Sequence, residues 1–165
     1  MALLMLCGPL AAQASLEYDV KAAFLLNFAK FVDWPPSAFA APDSPIAICI
    51  LGKDPFGRGL DDLIQGELVN GRRLTIRRID RAPSPQACQI IFTQVTGKES
   101  SEILTGLGPG VLTVGEGDAF LRGGGIIAFL IENRRVRFAI DQKAAEAADL
   151  KLSSKLLAVA RLVQK

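Results

Sequence analysis

From Leu16 to Val32 the chain carries neither glycine nor proline, and Val20, Phe24, Phe28 and Phe31 recur at helical spacing. Ala22, Leu25, Leu26, Ala29 and Val32 widen that apolar face well past a single stripe, with Lys21, Asn27 and Lys30 scattered through it. The pattern predicts a helix that is buried on more than one side or paired with another chain. It is too short, and too often interrupted by polar residues, to span a bilayer. Asp33-Trp34-Pro35-Pro36 stops it, because proline offers no amide hydrogen and clashes with the preceding turn.

Downstream the period changes. Residues 46–51 form an unbroken apolar run, followed by a glycine-marked turn and a short helix at 59–65. Residues 74–79 and 89–93 predict two further strands separated by Pro83-Ser84-Pro85, then a helix at 101–107 and a short buried strand at 111–114. Residues 126–132 and 135–140 predict a hairpin across Asn133-Arg134, its second arm alternating Val136, Phe138 and Ile140 with Arg135, Arg137 and Ala139. Asp141 is placed to cap a short helix through Ala148. Ser153 or Ser154 can cap another carrying Leu156, Leu157, Ala160 and Val163 on one stripe. Strands alternating with helices predict an α/β fold: a three-layer sandwich around a mostly parallel sheet, with a C-terminal β-hairpin and flanking N- and C-terminal helices.

Composition narrows the chemistry. The chain has 165 residues, 50% of them hydrophobic and 22% charged, which is enough for one well-filled core. A net charge of +2 is too small for a nucleic-acid binder. There is no histidine, so His-based catalytic pairs and His-ligated metals are excluded together. The first fourteen residues carry no charge and end in Ala12-Gln13-Ala14, which reads as a secretory signal cleaved after Ala14, leaving a single domain at 15–165. An apolar first element of the domain is the other reading. With Cys7 in the signal, Cys49 and Cys88 remain. In an exported chain they fit one disulfide, worth about 4 kcal/mol by loop entropy. Two buried thiols on neighbouring strands are the alternative.

No constellation for catalysis, cofactor or metal binding stands up. Gly52-Lys-Asp-Pro-Phe-Gly57 follows a strand but lacks the Gly-Lys-Ser/Thr ending of a phosphate loop. Gly115-Glu-Gly117 has no third glycine at dinucleotide spacing, and Gly123-Gly124-Gly125 precedes a strand instead of opening a helix, so turn geometry explains all three. Asp61 and Asp62 are helix neighbours that face apart. Glu116 and Asp118 are too few for an oxygen-ligated cation, and the arginine pairs are dispersed.

Two stretches nevertheless resemble one family. Lys21-Ala-Ala-Phe-Leu-Leu-Asn-Phe-Ala-Lys-Phe-Val-Asp-Trp-Pro35 is similar to the N-terminal signature of the YfiR family of bacterial periplasmic proteins. Arg135-Val-Arg-Phe-Ala-Ile-Asp141, the run 144–148 and Leu150-Lys-Leu-Ser-Ser-Lys-Leu-Leu157 resemble its C-terminal signature. The resemblance implies a periplasmic repressor and not an enzyme. It would bind the sensor region of an inner-membrane diguanylate cyclase, lowering cyclic di-GMP and biofilm formation, and would form a homodimer without inserting into the membrane. Cys49 and Cys88 occupy positions that resemble the family's stabilising bridge, while a further cysteine pair of some members has no counterpart. Phe129, Ile131, Asp141, Ala144 and Leu150, on and after the hairpin, are the expected partner surface, with ordinary core packing as the other reading of Phe129 and Ile131. A periplasmic small-ligand receptor is the rival function. Its crevice would lie at the carboxyl ends of the strands, around 52–57 and 115–117.

Overall fold

A computed structural model describes residues 9–165. Residues 1–8, Cys7 and the whole first half of the proposed signal among them, therefore lie outside the described residues. The first helix, α1 (Pro9–Phe31), starts upstream of the predicted Leu16. Pro9 suits a helix start, where its missing amide hydrogen costs nothing, and Ala11, Ala12, Gln13 and Ala14 favour continuation. The two halves of α1 differ. Residues 10–16 are exposed throughout, whereas Lys21, Ala22, Leu25, Leu26, Phe28 and Ala29 are buried.

The sheet is built from β2 (Ile46–Leu51), β3 (Leu68–Val69), β4 (Arg72–Ile79), β5 (Ile90–Thr93), β6 (Leu112–Glu116), β7 (Ile127–Glu132), β8 (Arg135–Asp141) and β10 (Leu162–Gln164). Their order is β10-β8-β7-β6-β5-β2-β4-β3. Neighbours are parallel except in the β7–β8 hairpin and where β3 folds back on β4. A second, two-stranded sheet pairs β1 (Val32–Asp33) with β9 (Lys151–Leu152), and the Ser153 amide donates to the Phe31 carbonyl beside it. The end of α1 is thereby fastened to the C-terminal segment. None of the sequence patterns predicted this pairing.

Strand alternation divides the apolar side chains between two faces. On one face Ile48, Ile50, Phe92, Val114, Phe129, Phe138 and Ile140 meet α1, α2 (Arg58–Ile64), α5 (Gln142–Ala147) and α6 (Ser154–Val159). An aromatic row runs through this core: Tyr18–Phe56, Phe56–Phe92, Phe92–Phe129 and Phe129–Phe28 have ring centroids 5.5, 4.8, 6.3 and 5.9 Å apart. On the other face small and sulfur-bearing residues are mixed with larger aliphatic ones such as Leu51 and Ile91. Ala47, Cys49 and Ile91 lie under α3 (Gly97–Gly106), and Ala128 and Ala139 lie under α4 (Asp118–Arg122). The result is the expected three-layer α/β arrangement.

The capping expectations at 141 and 153 hold in detail. The Asp141 carboxylate accepts from the Ala144 amide at 2.9 Å, and the Ser153 hydroxyl accepts from the Leu156 amide at 3.2 Å. One expectation fails. The final helix ends at Val159, and Val163, assigned to its stripe, belongs to β10. The helix terminates because Ala160 turns extended, which brings the Arg161 amide to the Phe138 carbonyl and starts pairing along β8.

Candidate functional site

The glycine clusters serve geometry. Gly52, Gly57 and Gly117 have positive φ of 82°, 60° and 80°, where a side chain is strained. Gly115 and Gly125 have a different cause. A Cβ on either would overlap the Phe120 ring, which is wedged between them. These glycines exist so that an aromatic can lie flat on the thin face of the sheet.

At the carboxyl ends of the parallel strands, where a ligand crevice is expected, α1 supplies the filling. The Tyr18 hydroxyl donates to Glu116 Oε1 at the end of β6 (2.9 Å) and accepts from Gln94 Nε2 just after β5 (2.7 Å). Its ring meets Phe56 in the loop after β2 edge-on. One side chain thus touches both stretches expected to line the crevice, and the segment after β5 as well. Lys21, almost fully buried, sits behind it with Nζ 2.8 Å from Glu116 Oε1 and within salt-bridge distance of Glu17. The ammonium also lies 4.4 Å from the Tyr18 ring centroid and 5.7 Å from that of Phe129. Burial first, then the hydrogen bond to the Glu116 carboxylate and its charge, push the Tyr18 phenol far above its ordinary value. The adjoining loop is pinned separately: Arg78 Nε donates to Asp54 at 2.8 Å and Nη2 to Asp61 at 2.6 Å, which holds the Asp61 carboxyl below the usual range. Asp62 takes no part.

Cys49 and Cys88 are joined by a disulfide with Cα atoms 5.9 Å apart. It ties the middle of β2 to the residue preceding Gln89, and both cysteines are buried. Gln89 is a residue the sequence reading passed over. Its side chain accepts from the Ala47 amide and donates to the Ala38 carbonyl, both at 2.8 Å. Its carbonyl accepts from the Trp34 indole at 3.0 Å and from the Leu112 amide. A lone glutamine in an apolar run was the available signal.

The five residues expected to form a partner surface are not brought together. Phe129 and Leu150 are 2% and 3% exposed and belong to the thick core. Asp141 is occupied as a helix cap, with Ala144 one turn on and packed against the same core. Both stand at the base of the hairpin, whereas Ile131 stands near its tip opposite Val136, about 17 Å away along the strand. Ile131 alone is a large exposed apolar residue, at 56%.

Ile131 instead joins a different surface. Beside the hairpin tip, α1 runs past the edge of the sheet and leaves a groove of about 670 Å³. Leu16, Val20 and Phe24 form one wall, and Ile131 and Val136 the other, with Arg134 and Arg135 on the rim. Asn133 and Arg134 make the tight turn with φ of 52° and 64°. Among the described residues neither Arg134 nor Arg135 has an ion-pair partner, while Glu17 on the opposite side shares the Lys21 ammonium with Glu116.

Among the described residues no helix is long and apolar enough to cross a membrane, and no group of three or more Cys, Asp or Glu side chains is placed to hold a metal. A sequence profile described as YfiR/HmsC-like matches residues 18–161, from the tyrosine of the sealed crevice to the residue before β10. No curated protein matches the chain.

Proposed function

The chain belongs to the YfiR/HmsC-like family, and on that premise we propose that it is an exported regulatory protein. It binds the periplasmic sensor region of an inner-membrane diguanylate cyclase and holds that enzyme inactive, lowering cyclic di-GMP and restraining biofilm formation. The observation that carries this reading is the family match across nearly the whole domain. The geometry supports it from two sides. The crevice a small-ligand receptor would need is filled by Tyr18 and Lys21, and an open apolar groove is presented next to it. Action is then by gripping another protein.

Export is part of the proposal. The described portion of the proposed signal, residues 10–14, stands wholly exposed on α1, so cleavage after Ala14 would leave every core residue in place. An oxidising compartment suits the Cys49–Cys88 bridge. The mature domain acts as a homodimer. Repression requires that it bind the inactive sensor more tightly than the active one. To hold an otherwise balanced enzyme 99 parts in 100 inactive, the preference must be about 100-fold.

Deleting the gene in its own host and measuring cyclic di-GMP tests the reading. A rise that is reversed by the exported domain, and not by a version lacking residues 1–14, is expected. An unchanged level while the cognate cyclase is expressed would overturn it.

A further inference from the structure

We propose that the groove between α1 and the hairpin tip is the seat of an amphipathic helix from a protein partner, one carrying carboxylates beside its apolar face. The inference rests on the regulatory reading for its biological role, but its physical argument is independent. The groove walls are apolar along one stripe: Leu16, Val20 and Phe24 follow the i, i+4, i+8 spacing of a single helical face. The proposed cleavage removes Gln13 and leaves Leu16 as the second residue, so Val20 and Phe24 are the wall that the mature helix holds firmly. Leu16 and Val20 are 65% and 38% exposed, and across from them Ile131 is 56% exposed. Such adjacent exposure of large apolar residues marks an interaction site. A concave trough with one helical wall fits a second helix laid lengthwise, as in helix-in-groove recognition. A flat bilayer surface would meet only its rims.

Charge selects the occupant. Arg134 and Arg135 stand at the mouth without ion-pair partners among the described residues, and the one carboxylate in the wall, Glu17, is paired with Lys21, which also serves Glu116. Two guanidinium groups against one carboxylate leave the groove lining net positive. Arg134 also occupies a left-handed backbone position with φ of 64°. Glycine or asparagine takes that position at less strain, so a guanidinium is aimed at the rim at some conformational cost. A partner helix with Asp or Glu flanking its apolar face fits both features, and a basic helix fits neither.

The test uses the full exported domain, purified from the periplasm, and two labelled helical peptides of about 18 residues, long enough to hold helix on binding. They share one leucine-rich face and differ only in having Glu or Lys beside it. The Glu peptide should bind about tenfold more tightly than the Lys peptide, as two rim ion pairs set against two repulsions imply. The preference should reverse in the Arg134→Glu/Arg135→Glu variant, the Lys peptide then binding more tightly, and binding of both peptides should fall in Val20→Asp and Ile131→Asp, with melting temperatures unchanged. Equal binding of the two peptides, or no effect of the four substitutions, overturns the proposal. So does either rival occupant: substitution-sensitive binding to vesicles of phosphatidylglycerol without peptide binding, or loss of self-association in the groove variants without peptide binding. In cells the same variants should raise cyclic di-GMP to the level of the deletion strain. A deletion that raises it while the variants do not defeats this surface alone, and a deletion without effect defeats the regulatory reading alone.

Discussion

The two faces of the sheet are held by different means. On the α1 side, five phenylalanines, Phe24, Phe28, Phe92, Phe129 and Phe138, pack ring against ring under a long helix, and large aliphatic side chains fill the remainder. On the α3–α4 side Leu51 and Ile91 are accompanied by Ala47, Ala128, Ala139 and Gly115, with Gly125 just before β7, and two short helices cover them. The small residues offer little area for the hydrophobic effect, which scales with apolar surface removed from water. A disulfide and a wedged Phe120 stand in for it. The contrast teaches that the apolar excess of α1 serves two places: its inner positions build the core, its outer positions Leu16 and Val20 line the groove, and Phe24 belongs to both.

The largest effect that would break this contrast is on the thick side. Phe28→Ala removes a fully buried ring that meets Phe24, Phe129 and Phe138, and should destabilise the domain by about 3–5 kcal/mol in denaturant melts. A smaller loss is expected from the thin side. The double variant Cys49→Ser/Cys88→Ser should lose about 2–4 kcal/mol, and reductant should lower wild-type stability by a similar amount while leaving the variant unmoved. If the faces are separate, the Phe28 and cysteine effects should add to within about 0.5 kcal/mol. Strong coupling would show that the sheet does not divide them. Gly125→Ala should cost about 1–3 kcal/mol by displacing Phe120, and pairing it with Phe120→Leu should recover part of that loss.

The smallest effect concerns the seal that α1 makes at the carboxyl ends of the strands. Tyr18 is the single tyrosine, so alkaline titration of the phenolate absorbance reads it alone. Below about pH 10 the phenol is protonated in the folded and unfolded chain alike, and its surroundings add no pH dependence. Above that the unfolded chain ionises first, because the folded phenol is raised, so stability should fall as pH rises. The phenolate signal should therefore appear together with unfolding. Glu116→Gln should bring it to lower pH without restoring ordinary behaviour, since burial is the larger cause.

Much of the architecture was legible because it depends on local pattern. The apolar run at 46–51, the alternating arm at 135–140 and the caps at Asp141 and Ser153 each announce themselves within a few residues. What was not legible depends on distant partners. Lys21 reads as one of the polar residues scattered through an apolar face until Glu116, far along the chain, is brought beside it. Gly115 and Gly125 read as loop glycines until Phe120 lies between them. Phe129 and Leu150 were grouped with Ile131 because they are close in sequence, yet the strand pleat and the turn before β9 send them inward. Val163 fits a helical stripe as well as a strand, and only the free edge of β8 decides. The family signatures were readable throughout, since they cover both ends of the domain.

The indole of Trp34, bonded to the carbonyl of Gln89 one residue from Cys88, is the only such ring in the chain. Reductive opening of the Cys49–Cys88 bridge is expected to shift its emission through Gln89, and an emission unmoved by reductant would show that the strand start holds its place without the sulfur link.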